Sequence, residues 1–402
     1  GFYKILNYKL IHRDYKYSNG INSEENFNSS EHSNGLFFTD LANIGYWIDK
    51  IENATYIVSI EILDDSKVCI FDKKIKTDKF VINMSSIVKI ENFPQWNILN
   101  FCELSVKHNG KLLKYIKAEN QTENVCMEAI QQEPLALQYI KNQNLKMCQM
   151  AIKLNGLSLE FVNPELQTEE ICIWAIDNNH CAFKFVNDKT VEICLYAVKK
   201  SGFMLKHVPA HLQTKEICME AVKSESWALK YVSSKFKTFE LYKLAVRTNG
   251  LVLEYVKSKS KSEYLEICEL AVANNGLALR FIPNKYKTVN ICLIAVKSDG
   301  LALEYIAPVL QTNLICSQAV KTNGIALQYV SSDLKTPDLC LLAVQSNSWA
   351  LKFVPAQLQT TSMCLQAVKD NGLVLQYINP NLKTQEMCNT AVKSNPWASE
   401  FV

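Results

Sequence analysis

The chain has 402 residues, of which 48% are hydrophobic and 21% charged, and its net charge is +3. One ordinary core does not extend over that length, so two domains or an extended array are expected. The nearly balanced charge disfavours a general nucleic-acid binder. The sequence contains neither a run of about 18 apolar residues nor a basic segment followed by an apolar one at its start. It therefore predicts neither membrane association nor secretion.

The first 95 residues show no repeat and predict a small α+β domain that acts as a cap or an interaction module. Residues 54–71 and 79–90 alternate or run apolar, which is typical of strands. Residues 40–51 predict a short helix. The chain starts at Gly1 rather than at methionine, which we interpret as a processed or incomplete end.

A cysteine recurs from residue 102 onward, at spacings of 22 or 24 residues with one gap of 50, in which Tyr242 keeps the register. The recurring cysteines are Cys102, Cys126, Cys148, Cys172, Cys194, Cys218, Cys268, Cys292, Cys316, Cys340, Cys364 and Cys388. Internal periods of 20–50 residues are typical of solenoids. The predicted fold is therefore mainly α: a small α+β domain over 1–95, then an α-solenoid of about 13 short two-helix repeats of 22–26 residues over 96–402.

Each repeat contains the pattern of two short helices. Around Cys172, the apolar Ile171, Ala175 and Ile176 share one helix face with the thiol, and Thr168 is the expected N-cap. Seven residues after the cysteine, 11 of the 13 repeats carry Asn, Asp or Ser, usually followed by Gly. Proline replaces that glycine in two repeats, so a left-handed glycine cap does not explain the pattern. We interpret the polar residue as a hinge that ends one helix and begins the next.

A longer period is superimposed on this pattern. Trp227, Trp349 and Trp397 share one position in repeats that lack the glycine, and the early spacings alternate between 22 and 24 residues. The evolutionary module is therefore expected to be a pair of repeats. Trp96 and Leu99 are expected to pack the amino-terminal domain onto the first repeat.

The repeated stretches resemble a known family. Residues 291–306 read ICLIAVKSDGLALEYI, close to I-C-x-x-A-V-K-x-N-G-L-A-L-x-Y-V, and L-x-T-x-E stretches precede such segments. This pattern is similar to an uncharacterised tandem two-helix repeat family of amoeba giant viruses, protists and amoeba-associated bacteria. The resemblance implies a helical repeat protein from a giant virus, in the host cytoplasm, the viral factory or the virion, and it implies no activity.

The amino-terminal region carries two further resemblances. Residues 9–47 resemble a module that precedes ankyrin arrays in the same giant viruses, which implies a portable module joined to interaction arrays. His12, the glycines at 20 and 35, and Tyr46 are similar to the first half of ADP-ribosyltransferase domains. That similarity implies nucleotide binding by His12 and Tyr46 as an alternative function, although no glutamate clearly matches the third catalytic element.

The recurring cysteines are expected to be reduced, buried core residues in a reducing compartment. Metal sites need ligands close together, as in C-x-x-C pairs, and the sequence has none. A nucleophile would be one exceptional cysteine rather than 12 equivalent ones. Cys181, outside the register, is also expected in the core. The sequence thus predicts no metal, no cofactor and no catalytic residue in the repeats.

A basic residue stands five positions after the cysteine in nine of the 13 repeats. These residues are Lys107, Lys153, Lys199, Lys223, Arg247, Lys297, Lys321, Lys369 and Lys393. We call them the basic ladder. In a regular stack they would lie along one edge, where they could contact a partner or track phosphates. The favoured alternative is that each stabilises the negative carboxyl end of its own helix.

These features favour a non-enzymatic scaffold that binds protein partners through the solenoid, acting as an adaptor or as a virion or assembly component. Nucleic-acid binding along the basic ladder is an alternative. The sequence stops at Phe401-Val402, at the apolar end of a second helix. We therefore expect either further chain or another subunit to cover the helices from Ala391 to Val402, the latter by self-association.

Overall fold

The computed structural model describes residues 1–12, 15–31, 35–48, 50–258 and 260–402. The segment that resembles the viral module includes residues 13, 14 and 32–34, which lie outside the described residues. Contacts within the chain divide it into two compact bodies, residues 1–200 and 201–402.

An antiparallel sheet forms the amino-terminal part of the first body. Its strands are β1 (Phe2–Asn7), β2 (Ile11–His12), β3 (Tyr15–Lys16), β4 (Gly20–Ser23), β5 (Leu36–Asp40), β6 (Ala54–Glu61), β7 (Val68–Ile70), β8 (Ile75–Thr77), β9 (Lys79–Ile82) and β10 (Val88–Lys89). The main sheet has the order β4-β9-β6-β1-β5-β8-β7, with β10 also paired to β6, and β2 pairs with β3. The strands predicted over 54–71 and 79–90 are confirmed.

Alternation along the central strands places apolar side chains on one face of the sheet, where they form the core of this region. Leu6, Phe38, Val58, Phe80 and Ile82 are all buried there. The register of β1 against β6, with Ile5 opposite Ile57, fixes which side chains face the core.

The single α-helix of this region, α1 (Ile44–Ile48), is shorter than the predicted helix over 40–51. Its start is delayed because a turn precedes it, in which the Asp40 Oδ1 accepts a hydrogen bond from the Asn43 N–H at 3.0 Å. Short polar side chains of this kind compete with helical hydrogen bonding.

Trp96 packs the first repeat against the residues before it. The indole is buried, stacks on Tyr115 at 5.5 Å between ring centroids, and donates from Nε1 to the Ile90 carbonyl at 2.6 Å. The same expectation for Leu99 is wrong: Leu99 is the first residue of its helix and is 42% exposed.

From Leu99 onward the described residues contain 13 further α-helices, one for each predicted repeat. They are α2 (Leu99–His108), α3 (Glu123–Gln132), α4 (Leu145–Leu154), α5 (Glu169–Asn178), α6 (Val191–Lys200), α7 (Lys215–Ser224), α8 (Phe239–Thr248), α9 (Lys261–Asn274), α10 (Val289–Ser298), α11 (Asn313–Thr322), α12 (Pro337–Ser346), α13 (Thr361–Asp370) and α14 (Gln385–Ser394). Within each body, successive α-helices pack against one another. The fold is therefore mainly α, with tandem short helices after a sheet domain.

The second helix of each repeat is a six-residue 3₁₀ helix rather than an α-helix. These helices are Gly110–Tyr115, Pro134–Tyr139, Gly156–Phe161, His180–Phe185, Gly202–His207, Ser226–Tyr231, Gly250–Tyr255, Gly276–Phe281, Gly300–Tyr305, Gly324–Tyr329, Ser348–Phe353, Gly372–Tyr377 and Pro396–Phe401. Isolated 3₁₀ helices of this length are uncommon, so packing against the α-helices must hold them.

The hinge between the two helices behaves as the sequence predicts. In the repeat of α11, the Asn323 N–H donates to the Ala319 carbonyl at 2.9 Å and so closes the α-helix. The Asn323 Oδ1 then accepts from the Ile325 N–H at 3.0 Å and caps the 3₁₀ helix. One asparagine therefore ends one helix and begins the next.

The glycine after the hinge is required by a close approach between neighbouring repeats. A Cβ added to Gly324 would lie 2.2 Å from the carbonyl oxygen of Ala343 in the next repeat. Positive φ angles among the glycines occur at Gly20 and Gly35, both in the sheet region. The conserved feature of the repeat is thus backbone proximity rather than a left-handed turn.

Candidate functional site

The repeats separate a buried helix face from an outward one. In α7, Ile217, Cys218, Ala221 and Val222 are buried, while Lys223 points to solvent. The same four positions are buried in α3, α4, α5 and α10, so the repeat pattern specifies the core. A partner can therefore reach only the outward positions.

The basic ladder lies on this outward face. Each of its nine residues is exposed and stands second to last in its α-helix. A cation there interacts favourably with the negative end of the helix dipole, by ~0.3–1 kcal/mol per residue. Lys223 also lies 3.9 Å from the carboxylate of Glu220, on the same helix.

The backbone at the ladder positions is bound by the next repeat. The Asn178 Nδ2 donates to the Lys153 carbonyl at 3.1 Å, while its Oδ1 accepts from the Gly156 N–H at 2.7 Å. Asn274 makes the same pair of bonds with Arg247 and Gly250. One polar side chain thus completes the carboxyl end of the preceding α-helix, which fixes where the ladder side chains start.

The 12 recurring cysteines are buried and unpaired, which confirms their predicted place in the core. Burial raises the pKa of the Cys218 thiol to about 11, and the same cause raises the pKa of Cys126 and Cys316 to about 11. These thiols are therefore protonated at neutral pH and do not act as nucleophiles. The expectation for Cys181 is wrong, because it lies on the solvent side of its 3₁₀ helix and is exposed.

A side chain five positions before the cysteine has a structural role that the sequence analysis missed. The Gln311 Nε2 donates to the Tyr329 carbonyl at 2.9 Å and its Oε1 accepts from the Ser331 N–H at 2.9 Å. It thereby fastens the end of the 3₁₀ helix to the start of the α-helix. We call this residue the clamp.

The clamp is glutamine or lysine in most repeats. Lys287 and Lys335 donate from Nζ to the Tyr305 and Phe353 carbonyls at 2.6 and 3.2 Å, the equivalents of the Tyr329 carbonyl. Burial lowers the pKa of both lysines. The alternation of Gln and Lys at a fixed position before the cysteine was the available sequence signal, since both can donate to a carbonyl.

His12 and Tyr46 lie in different surroundings. The His12 Nδ1 is 2.7 Å from the Nζ of buried Lys4. Tyr46 packs edge-on against Trp47 at 5.2 Å between ring centroids, and the Lys73 amine lies 4.5 Å from the Tyr46 ring.

A small cavity adjoins His12. It encloses about 40 Å³ and is lined by His12, Lys4, Thr39 and Trp47, among others. That space accommodates a water or two rather than a dinucleotide. Nucleotide binding there would require the walls to open, so the geometry adds no support to the resemblance of His12 and Tyr46 to a transferase site.

Two searches of the described residues bear on other kinds of function. They contain no group of three or more His, Cys, Asp or Glu side chains that could hold a metal ion. Among the helices that the structure describes, none combines the length and apolar character needed to cross a bilayer.

Together, the sheet region, the paired short helices and the buried cysteines define a helical repeat protein. A family model described as a domain of unknown function (DUF4116) matches residues 144–190, 190–237, 264–311, 314–359 and 362–402. These five tandem matches cover more than half of the chain, which therefore belongs to this family. Each match contains two recurring cysteines, in agreement with the predicted paired module. No curated protein matches the chain.

Proposed function

We propose that the chain is a non-enzymatic scaffold that binds protein partners through the outward face of its helices. The observation that carries this proposal is the separation within each repeat: the thiols, the only chemically distinctive repeated groups, are buried with a raised pKa, whereas the outward positions are exposed. Repeat arrays of this kind offer extended surfaces for macromolecules rather than small-molecule pockets.

We further propose that the protein comes from a giant virus and acts as an adaptor or as a virion or assembly component. The support is the resemblance of residues 291–306 and 9–47 to viral sequences. On this proposal it works in the host cytoplasm, the viral factory or the virion.

The test is affinity capture from infected cells with the full chain as bait. We expect a stoichiometric protein partner that is lost when ladder residues Lys297, Lys321 and Lys369 are changed together to Glu. The matched control is His12→Ala, which should retain the partner. Capture of no protein at stoichiometric amounts would refute the scaffold proposal.

Nucleic-acid binding is the second candidate, and the nine exposed cations at one helix position favour it. Phosphate contacts are strongest at low salt, so labelled RNA should bind at about 50 mM salt and dissociate as salt rises. Absence of binding at low salt would end this candidate. For the transferase-like alternative, a thermal shift with nicotinamide dinucleotide that disappears in His12→Ala is required.

Self-association through the last repeat is also part of the proposal. Trp349 packs edge-on against Tyr377 of the next repeat, with 6.1 Å between ring centroids. Trp397 occupies the equivalent position and is 74% exposed. Light scattering should show an oligomer that Trp397→Ala dissociates, and a strict monomer would refute self-association.

A further inference from the structure

We propose that a groove across the outward faces of α3, α4 and α5 binds the apolar side of a short, acidic amphipathic helix from a partner protein. This inference rests on the scaffold function proposed above and specifies the chemistry of one partner segment.

The groove lies within the first body and encloses about 800 Å³. That volume is in the range of ~300–1,000 Å³ typical of ligand-binding clefts. Its apolar lining comes from three successive α-helices: Met127 of α3, Met150 of α4 and Trp174 of α5. All three side chains occupy outward positions, so the repeat core does not need them.

The apolar lining is suited to protein side chains. Trp174 is 41% exposed although it is one of the largest apolar residues, and tryptophan is enriched among the residues that dominate binding energy at interfaces. The two methionines beside it are flexible and polarisable, and can adapt to different apolar side chains. The groove therefore offers a concave apolar surface with an aromatic anchor.

The charges around the groove favour an acidic partner. The Lys146 Nζ lies 2.7 Å from the Glu123 carboxylate. Asp177 lies 2.7 Å from the Lys200 Nζ and accepts from the Tyr196 hydroxyl at 2.6 Å. These hydrogen bonds lower the pKa of Asp177, which stays ionised and compensated.

Lys153 also lines the groove and is exposed. Within the described part of the chain it forms no ion pair with a carboxylate. Its charge is therefore available to an incoming Asp or Glu, whereas the other lining charges already have partners. A phosphate chain fits less well, because the lining is largely apolar and includes the Asp177 carboxylate.

The dimensions fit a helix of three to four turns. Packed α-helices lie ~8–10 Å apart, so a groove across three of them is about 16–20 Å long. A helix of about 11–13 residues spans that distance at 1.5 Å per residue. Such segments anchor through apolar residues at i, i+3 or i+4, and i+7.

The probe is a phage-displayed library of helical peptides of about 16 residues, selected against the full chain. Selected peptides, labelled with fluorescein, are then titrated by fluorescence anisotropy. We expect apolar residues at helical spacing together with Asp or Glu. Binding should weaken by about tenfold or more in Trp174→Ala, as for an interface anchor, and measurably in Lys153→Glu. Trp349→Ala, which alters a tryptophan of similar exposure (37%) in the second body, is the matched control and should leave binding unchanged.

Failure of the library to yield binders would overturn the proposal. So would peptides that bind Trp174→Ala as tightly as the unmodified chain, or selected peptides that are basic. If infected-cell partners are captured equally by the Trp174→Ala chain and no groove-dependent peptide is found, the groove inference falls while the scaffold function stands. Circular dichroism of each variant separates lost binding from lost folding.

Discussion

Replacing Gly324 with alanine tests whether close backbone approach explains the repeated glycine. The added Cβ would lie 2.2 Å from the Ala343 carbonyl oxygen and 2.9 Å from the Asn347 nitrogen. Ordinary contact begins near 3.4 Å, so the two backbones must separate by 1.2 Å (3.4 minus 2.2) if the Cβ–oxygen line lies along the separation. That movement would also stretch the bond from the Gly324 N–H to the Ser346 hydroxyl, now 3.1 Å.

Overpacking of this kind costs ~1–3 kcal/mol. Gly324 has no positive φ, so without the contact an alanine would stabilise the chain by ~0.4–1 kcal/mol through the unfolded state. The expected net result is destabilisation by about 1–2 kcal/mol. The sign of the change therefore decides between the two explanations.

The measurement is urea unfolding followed by circular dichroism, with amide hydrogen exchange over residues 313–346 to locate the weakened region. Ser348→Ala is the control, because this equivalent position already carries a Cβ and the change should be nearly neutral. An unchanged or increased stability of Gly324→Ala would refute the close-approach explanation.

Three further outcomes are expected. Gln311→Ala should destabilise the chain by ~1–3 kcal/mol, because the Tyr329 carbonyl loses its donor; Gln311→Lys should lose less in the same urea assay, and equal losses would contradict the clamp. N-ethylmaleimide at pH 7 should modify exposed Cys181 and half-buried Cys69 before the recurring cysteines, as read by mass spectrometry; early labelling of the latter would contradict their raised pKa. Lys321→Gln should cost only ~0.3–1 kcal/mol, and less at high salt; a salt-independent loss would argue against a helix-end effect.

The cap and core positions of the repeats were predictable because each follows from local geometry. Thr312 accepts from the Ile315 N–H at 3.3 Å, as an N-cap threonine should, and the apolar residues recur at helical spacing. The sequence pattern also predicted strands in the amino-terminal region. These properties depend on residues that are close together along the chain.

The remaining features depend on contacts between repeats, which one period of sequence does not reveal. The contact of Gly324 with Ala343 joins two repeats, and the clamp Gln311 reaches a carbonyl 18 residues away. The groove around Trp174 draws its lining from three helices, so no single motif encodes it. Cys181 was misplaced because its repeat position is usually apolar, although the side of the helix it occupies faces solvent.

The side chains that complete the helix ends give the array a polarity. Asn178 binds the Lys153 carbonyl and the Gly156 amide of the repeat before it, and Ser346 makes the same contacts with Lys321 and Gly324. Each repeat is thus finished by its successor and not by its predecessor. Shortening the chain from the carboxyl side therefore unfinishes the new last helix each time, whereas shortening within the array from the amino side leaves every remaining helix end complete.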